Sequence, residues 1–142
     1  MTAPSASHPA PAEHAVALGA LWFGLFGAPV VWSIQLVLNY ALVTHACFPA
    51  SNPRATPTFD GLWTAVLVAG VVAALIAVAA GVTAWRSWRL TRQEHHGGDE
   101  ALRDAGEGRT RFMAVAGMLL STIFLFGIVM NALPLFLVPT CG

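Results

Sequence analysis

The chain has 142 residues, 56% of them hydrophobic and 10% charged, with no formal net charge at neutral pH. So few charges in so apolar a chain argue against a soluble domain and against nucleic-acid binding. All seven basic residues are arginines, and the two cysteines permit one disulfide or one small thiol site.

Met1 to His14 is rich in Pro, Ala and Ser and has no apolar periodicity, so a disordered N-terminus is expected. No Lys or Arg precedes the apolar run that follows, and that run is far longer than a signal-peptide core. It is therefore not read as a secretory signal.

Ala15 to Thr44 is the first predicted membrane span. It is long enough to cross with tilt or to project beyond the bilayer. Ala20, Gly24 and Ala28 repeat small side chains every fourth residue. Pro29 removes a backbone donor inside the span, so a kink or local loosening is expected there. Trp32, Gln35 and Asn39 follow at helical offsets and share one side. Amides in hydrocarbon are costly unless bonded, so that side should face protein.

His45 to Gly61 is a short loop with Cys47, Pro49, Pro53, Pro57 and one arginine. The second span, Leu62 to Trp85, has no charged residue and only the hydroxyls of Thr64 and Thr83. At about 1.5 Å per residue it reaches across a hydrocarbon core of about 30 Å. Ala65, Ala69, Ala73, Ala77 and Gly81 recur every fourth residue, which predicts a small-residue face where another helix approaches closely. Alanine abundance by itself also produces such a ladder. Val66, Leu67, Val71, Val72, Leu75, Ile76 and Val78 suit lipid.

Residues 86–111 read as a polar connector. Trp85 and Trp88 beside Arg86, Arg89 and Arg92 form an interfacial belt with a basic edge. His95 and His96 sit in a polar, glycine-bearing stretch, and Asp99 is placed to cap a short turn through Arg103. The third span runs from Phe112 to about Leu133, with Gly117 and Ser121 at small-residue spacing and Asn131 near its far end. Pro134 interrupts it, and Leu135 to Val138 is too short to span again and is expected at the interface.

The expected fold is an all-α membrane protein: a disordered segment 1–14, then a three-helix transmembrane domain over 15–142. Six of the seven arginines lie between Arg86 and Arg111. The positive-inside rule puts this connector and the N-terminus in the cytoplasm and the C-terminus opposite. With a bacterial inner membrane as the working assumption, that opposite side is periplasmic. Cys47 and Cys141 then share one oxidising face, which predicts a Cys47–Cys141 disulfide; two unpaired thiols are the alternative. Chain entropy sets about 4–5 kcal/mol as an upper bound on its effect, because membrane insertion already restricts the unfolded chain. The same threading brings Gln35, Asn39 and Asn131 into the outer half of the bilayer, where an interhelical amide cluster between the first and third spans is expected.

No Asp, Glu, Lys, Arg or His lies inside the three predicted spans. This argues against a pump, an ion-coupled transporter or a b-type cytochrome. There is no Cys-x-x-Cys pair, glycine-rich phosphate loop or His-Glu-x-x-His motif. The expectation is a protein that is not an enzyme and has no cofactor. An alternative is a copper-handling or thiol-redox protein using His45, Cys47 and Cys141, with Met130 approaching from below, since these ligands suit Cu(I).

The residues also resemble a family. Gly27-Ala28-Pro29-Val30-Val31-Trp32, Gln35-Leu36, Asn39-Tyr40-Ala41-Leu42-Val43 and Cys47 are similar to the first span of small three-helix bacterial membrane proteins of unknown function. Arg111-Phe112-Met113-Ala114, Gly117, Ser121, Phe124, Ile128, Pro134 and Pro139-Thr140-Cys141 look similar to its third span. Genes of that family often lie beside those of haem-copper cytochrome c oxidases. The resemblance implies an accessory subunit or assembly helper of a respiratory terminal oxidase. A homo-oligomer is the other partner expected from the small-residue faces.

Overall fold

A computed structural model describes residues 18–93, 104–138 and 141. The expected disorder of residues 1–14, the His95-His96 pair and the Asp99 cap fall outside them. The described residues form four helices and no strand: α1 Leu18–Cys47, α2 Leu62–Gln93, α3 Asp104–Ala132 and the single turn α4 Pro134–Leu137. Three helical stretches, Leu18–Cys47, Leu62–Leu90 and Arg111–Leu137, are long and apolar enough to cross a membrane.

α1 runs unbroken through Pro29. The Ser33 hydroxyl donates to the Pro29 carbonyl at 2.9 Å, as serines do when they fold back on their own helix. At the C-terminal end of α1 the loop supplies donors to carbonyls that the helix leaves open. Phe48 donates to Thr44, Thr58 to Ala46 and Arg54 to Cys47, at 2.9–3.1 Å. A 3₁₀ turn at Pro49–Ser51 carries Ala50 at φ 50°, the one non-glycine with positive φ among the described residues.

α2 and α3 extend into the stretch expected to be a solvated connector. α2 continues to Gln93 and α3 already starts at Asp104. The polar extension of α2 has its own local support. The Arg89 guanidinium lies 3.8 Å from the centre of the Trp85 ring, an i, i+4 cation–π pair.

The three long helices all touch one another, and α2 runs antiparallel to the other two. Along the bundle, Gly24 of α1 meets Ala84 of α2, Gly27 meets Ala80, and Gln35 meets Gly70. α1 and α3 run parallel, so Gly24 lies level with Gly117 and Trp32 with Phe124. The buried seam of α2 is Leu62, Val66, Ala73, Ala77, Ala80, Ala84 and Ser87. Its steps alternate between three and four residues or their sum, the 3.5-residue repeat of a helix packed between partners. A strict four-residue ladder instead drifts about 40° around the helix at each step. That is why Ala73 and Ala77 are buried while Ala65, Ala69 and Gly81 are only half-buried. The α3 seam of Ala114, Gly117, Ser121 and Ile128 obeys the same rule.

At one level the helices approach to backbone contact. A Cβ placed on Gly117 would lie 2.8 Å from the Gly24 carbonyl oxygen and 3.2 Å from the Ala84 Cβ. A Cβ on Gly24 would lie 3.2 Å from that same Ala84 Cβ. Three small residues from three helices therefore share one point, the close approach that small side chains permit inside a membrane.

Candidate functional site

At the far end of the bundle, Ala46, Cys47, Leu62 and Val66 form a small buried cluster with Leu42, Val43, Leu135 and Cys141 against it. The sulfurs of Cys47 and Cys141 are at bonding distance, with their Cα atoms 5.4 Å apart and the two residues 94 positions apart in sequence. The parallel register of α1 and α3 produces this pairing: it brings the end of the third span level with the end of the first. Trp63 packs edge-on to Phe136 at 6.0 Å, so α4 folds back over the start of α2. His45 points outward, as does Met130. Among the described residues no three His, Cys, Asp or Glu side chains come together. A sulfur held in a bridge is no thiolate ligand for Cu(I).

One turn or more below the bridge, the three amides singled out in the sequence surround a common pocket. Gln35, Asn39 and Asn131 line a cavity of about 190 Å³, with α1, α2, α3 and α4 all contributing to its wall. Gln35 is the deepest of them, 3% exposed. Its amide nitrogen rests against Gly70 of α2, where an added Cβ would lie 3.4 Å away. The amides meet around the pocket, yet they do not close a hydrogen-bond network. Gln35 Oε1, Asn39 Oδ1 and Asn131 Nδ2 are buried with no hydrogen-bond partner among the described residues.

Four hydroxyls in the spans behave differently. Ser33, Thr83, Ser87 and Thr122 each donate to a carbonyl three or four residues earlier, at 2.8–2.9 Å. Each is satisfied within its own helix, as an apolar solvent demands. Ser121 differs from these four: it is buried against Gly81 with Oγ unpartnered. The amides of Gln35, Asn39 and Asn131 each keep one buried atom that no such local bond satisfies.

The chain matches no protein-family model, no curated protein and no solved structure. The candidate site therefore stands on its residues alone. Sequence reasoning placed the amides together but missed Gly70. A glycine inside an alanine-rich span was a legible signal, since it marks close approach by another group. Here that group is the Gln35 amide.

Proposed function

We propose that this is a non-enzymatic, multi-pass protein of a bacterial inner membrane that serves a larger membrane complex as an accessory subunit or assembly helper. A respiratory terminal oxidase is the first partner to test, on the strength of the resemblance in the first and third spans. In this reading the arginine-bearing end and the N-terminus are cytoplasmic, and the Cys47–Cys141 end is periplasmic. An oxidising compartment at that end suits a bridge between the two cysteines.

The observation that supports a passive partner role is the outward stripe of α3. Phe112, Leu119, Ile123 and Phe126 are each more than 60% exposed and recur at intervals of seven, four and three residues. Large side chains at that spacing form one ridge along the helix, which fits the groove of a neighbouring transmembrane helix. Thr122 beside the ridge has its hydroxyl closed onto Met118, so the stripe offers shape and apolar contact. The small-residue seam of α2 no longer argues for a partner, because Ala73, Ala77, Ala80 and Ala84 are consumed inside the bundle.

The test is purification from native membranes in mild detergent, with haem spectra of the eluate. Haem absorbance eluting with the tagged protein, and lost in a Leu119→Ala/Ile123→Ala double variant, is the expected result. A solitary monomer free of haem under several mild detergents contradicts the proposal.

A further inference from the structure

We propose that Trp85, Arg89 and Arg111 form a binding site for the headgroup phosphate of an anionic phospholipid, on the outer side of the groove between α2 and α3. The two arginines lie where the apolar spans stop: one span ends at Leu90 and the next begins at Arg111. Lipid phosphates lie at that depth, and basic clefts between membrane helices are where anionic headgroups bind.

Helix geometry brings the arginines together. Gly81 of α2 meets Ser121 of α3. Arg89 follows Gly81 by eight residues and Arg111 precedes Ser121 by ten, in helices that run antiparallel. At 1.5 Å per residue they rise about 12 and 15 Å in the same direction, to within about 3 Å of one level. At 3.5 residues per turn, Trp85 and Arg111 each lie about 50° round from the Gly81–Ser121 contact. The buried Ala84 and Gly117 lie as far round the other way, where both meet Gly24 of α1. Trp85 and Arg111 therefore stand on opposite banks of one outward-facing groove, and Arg89 reaches it through Trp85.

Arg89 is positioned for an oxyanion. Its guanidinium lies 3.8 Å from the centre of the Trp85 ring. Stacking uses the face of the cation and leaves its N–H donors, which lie in the plane, free to fork two phosphate oxygens. Arg86 and Arg111 are exposed nearby. Among the described side chains the one carboxylate is Asp60, which precedes α2 at the opposite end of the bundle. The occupant is a lipid because the same face continues as hydrocarbon. Val82, Val78 and Leu75 follow Trp85 down the outside of α2 at helical offsets, all exposed. An acyl chain lies along them while its phosphate meets the arginines.

The test is native mass spectrometry of the full chain in detergent, titrated with phosphatidylglycerol or phosphatidylcholine of identical acyl chains. Phosphatidylglycerol should bind about tenfold more tightly. The Arg89→Gln/Arg111→Gln double variant should lose that preference, and Trp85→Leu should weaken it about threefold. Arg54→Gln, an exposed arginine at the other end, should leave it unchanged. Inorganic phosphate at millimolar concentration should not displace the lipid. Equal affinity for the two lipids overturns the proposal; it is the result expected if the five carboxylates of residues 94–107 already neutralise the arginines. A preference that survives the double variant, or falls equally in Arg54→Gln, overturns it as diffuse charge attraction. Displacement by inorganic phosphate overturns the assignment to lipid.

Discussion

The two halves of this bundle are built from similar alphabets and come out differently. In the half that contains Gly24, Ala84 and Gly117, the small residues of three helices face one another, and the backbones close to contact. In the half that contains Gln35, Gly70 and Asn131, a single glycine faces a long amide, and a cavity of about 190 Å³ remains. Helix association in lipid relies on close packing, because apolar contact with lipid is no worse than apolar contact with protein. The first half satisfies that demand directly. The second forgoes it, and is tied instead by the covalent link between Cys47 and Cys141. What separates the halves is whether small residues oppose small residues.

This contrast can be broken most severely at Gly117. A leucine there would drive its Cβ to 2.8 Å from the Gly24 carbonyl oxygen, a backbone atom that cannot rotate away. We expect Gly117→Leu to cost about 3 kcal/mol, at the upper end for overpacking, read as a lower midpoint of thermal unfolding in detergent micelles. The next largest effect belongs to the other half. Cys141→Ser should cost about 2 kcal/mol, the low end for a native bridge, because insertion into the membrane already confines the unfolded chain. Wild-type protein under reducing conditions should show the same loss, and the variant should be insensitive to reductant.

Smaller effects sharpen the contrast further. Gly81→Ala places a Cβ 3.3 Å from that of Ser121, so a shift of a few tenths of an ångström accommodates it. Its expected cost is below about 1 kcal/mol, far less than at Gly117, although both glycines lie on interhelical faces. Gln35→Leu should cost nothing, or stabilise by up to about 1 kcal/mol, since it removes a buried acceptor with no partner. A large destabilisation by Gln35→Leu would mean that the amide acts as a structural tie. The two halves would then differ less than described.

Much of the fold was legible because the signals were long. Uninterrupted apolar runs such as Leu62 to Trp85 set the membrane spans, and the cysteines that follow the first and third spans come together. The amides Gln35, Asn39 and Asn131 were legible as a group from helical offsets and threading, and they do border one pocket. What escaped was finer. A four-residue ladder looks like a face on paper, but the real seam follows a 3.5-residue repeat, so Ala80 and Ala84 replace Ala65 and Ala69 in the core. The polar ends of α2 and α3 were invisible to hydropathy, because helices such as α2 through Arg86 and Arg89 continue past the apolar boundary. The unmet hydrogen bonds were also out of reach. Spacing tells which amides converge, whereas only the positions of atoms tell whether they bond.

The central claim is that α1 and α3 run parallel through one membrane, so that their cysteines end on the same side and are joined. Labelling intact cells with a membrane-impermeant maleimide, before and after mild reduction, tests it directly. The account predicts no label before reduction and label on both Cys47 and Cys141 afterwards. Label on either cysteine without reduction, or access to only one of them from outside, would contradict it.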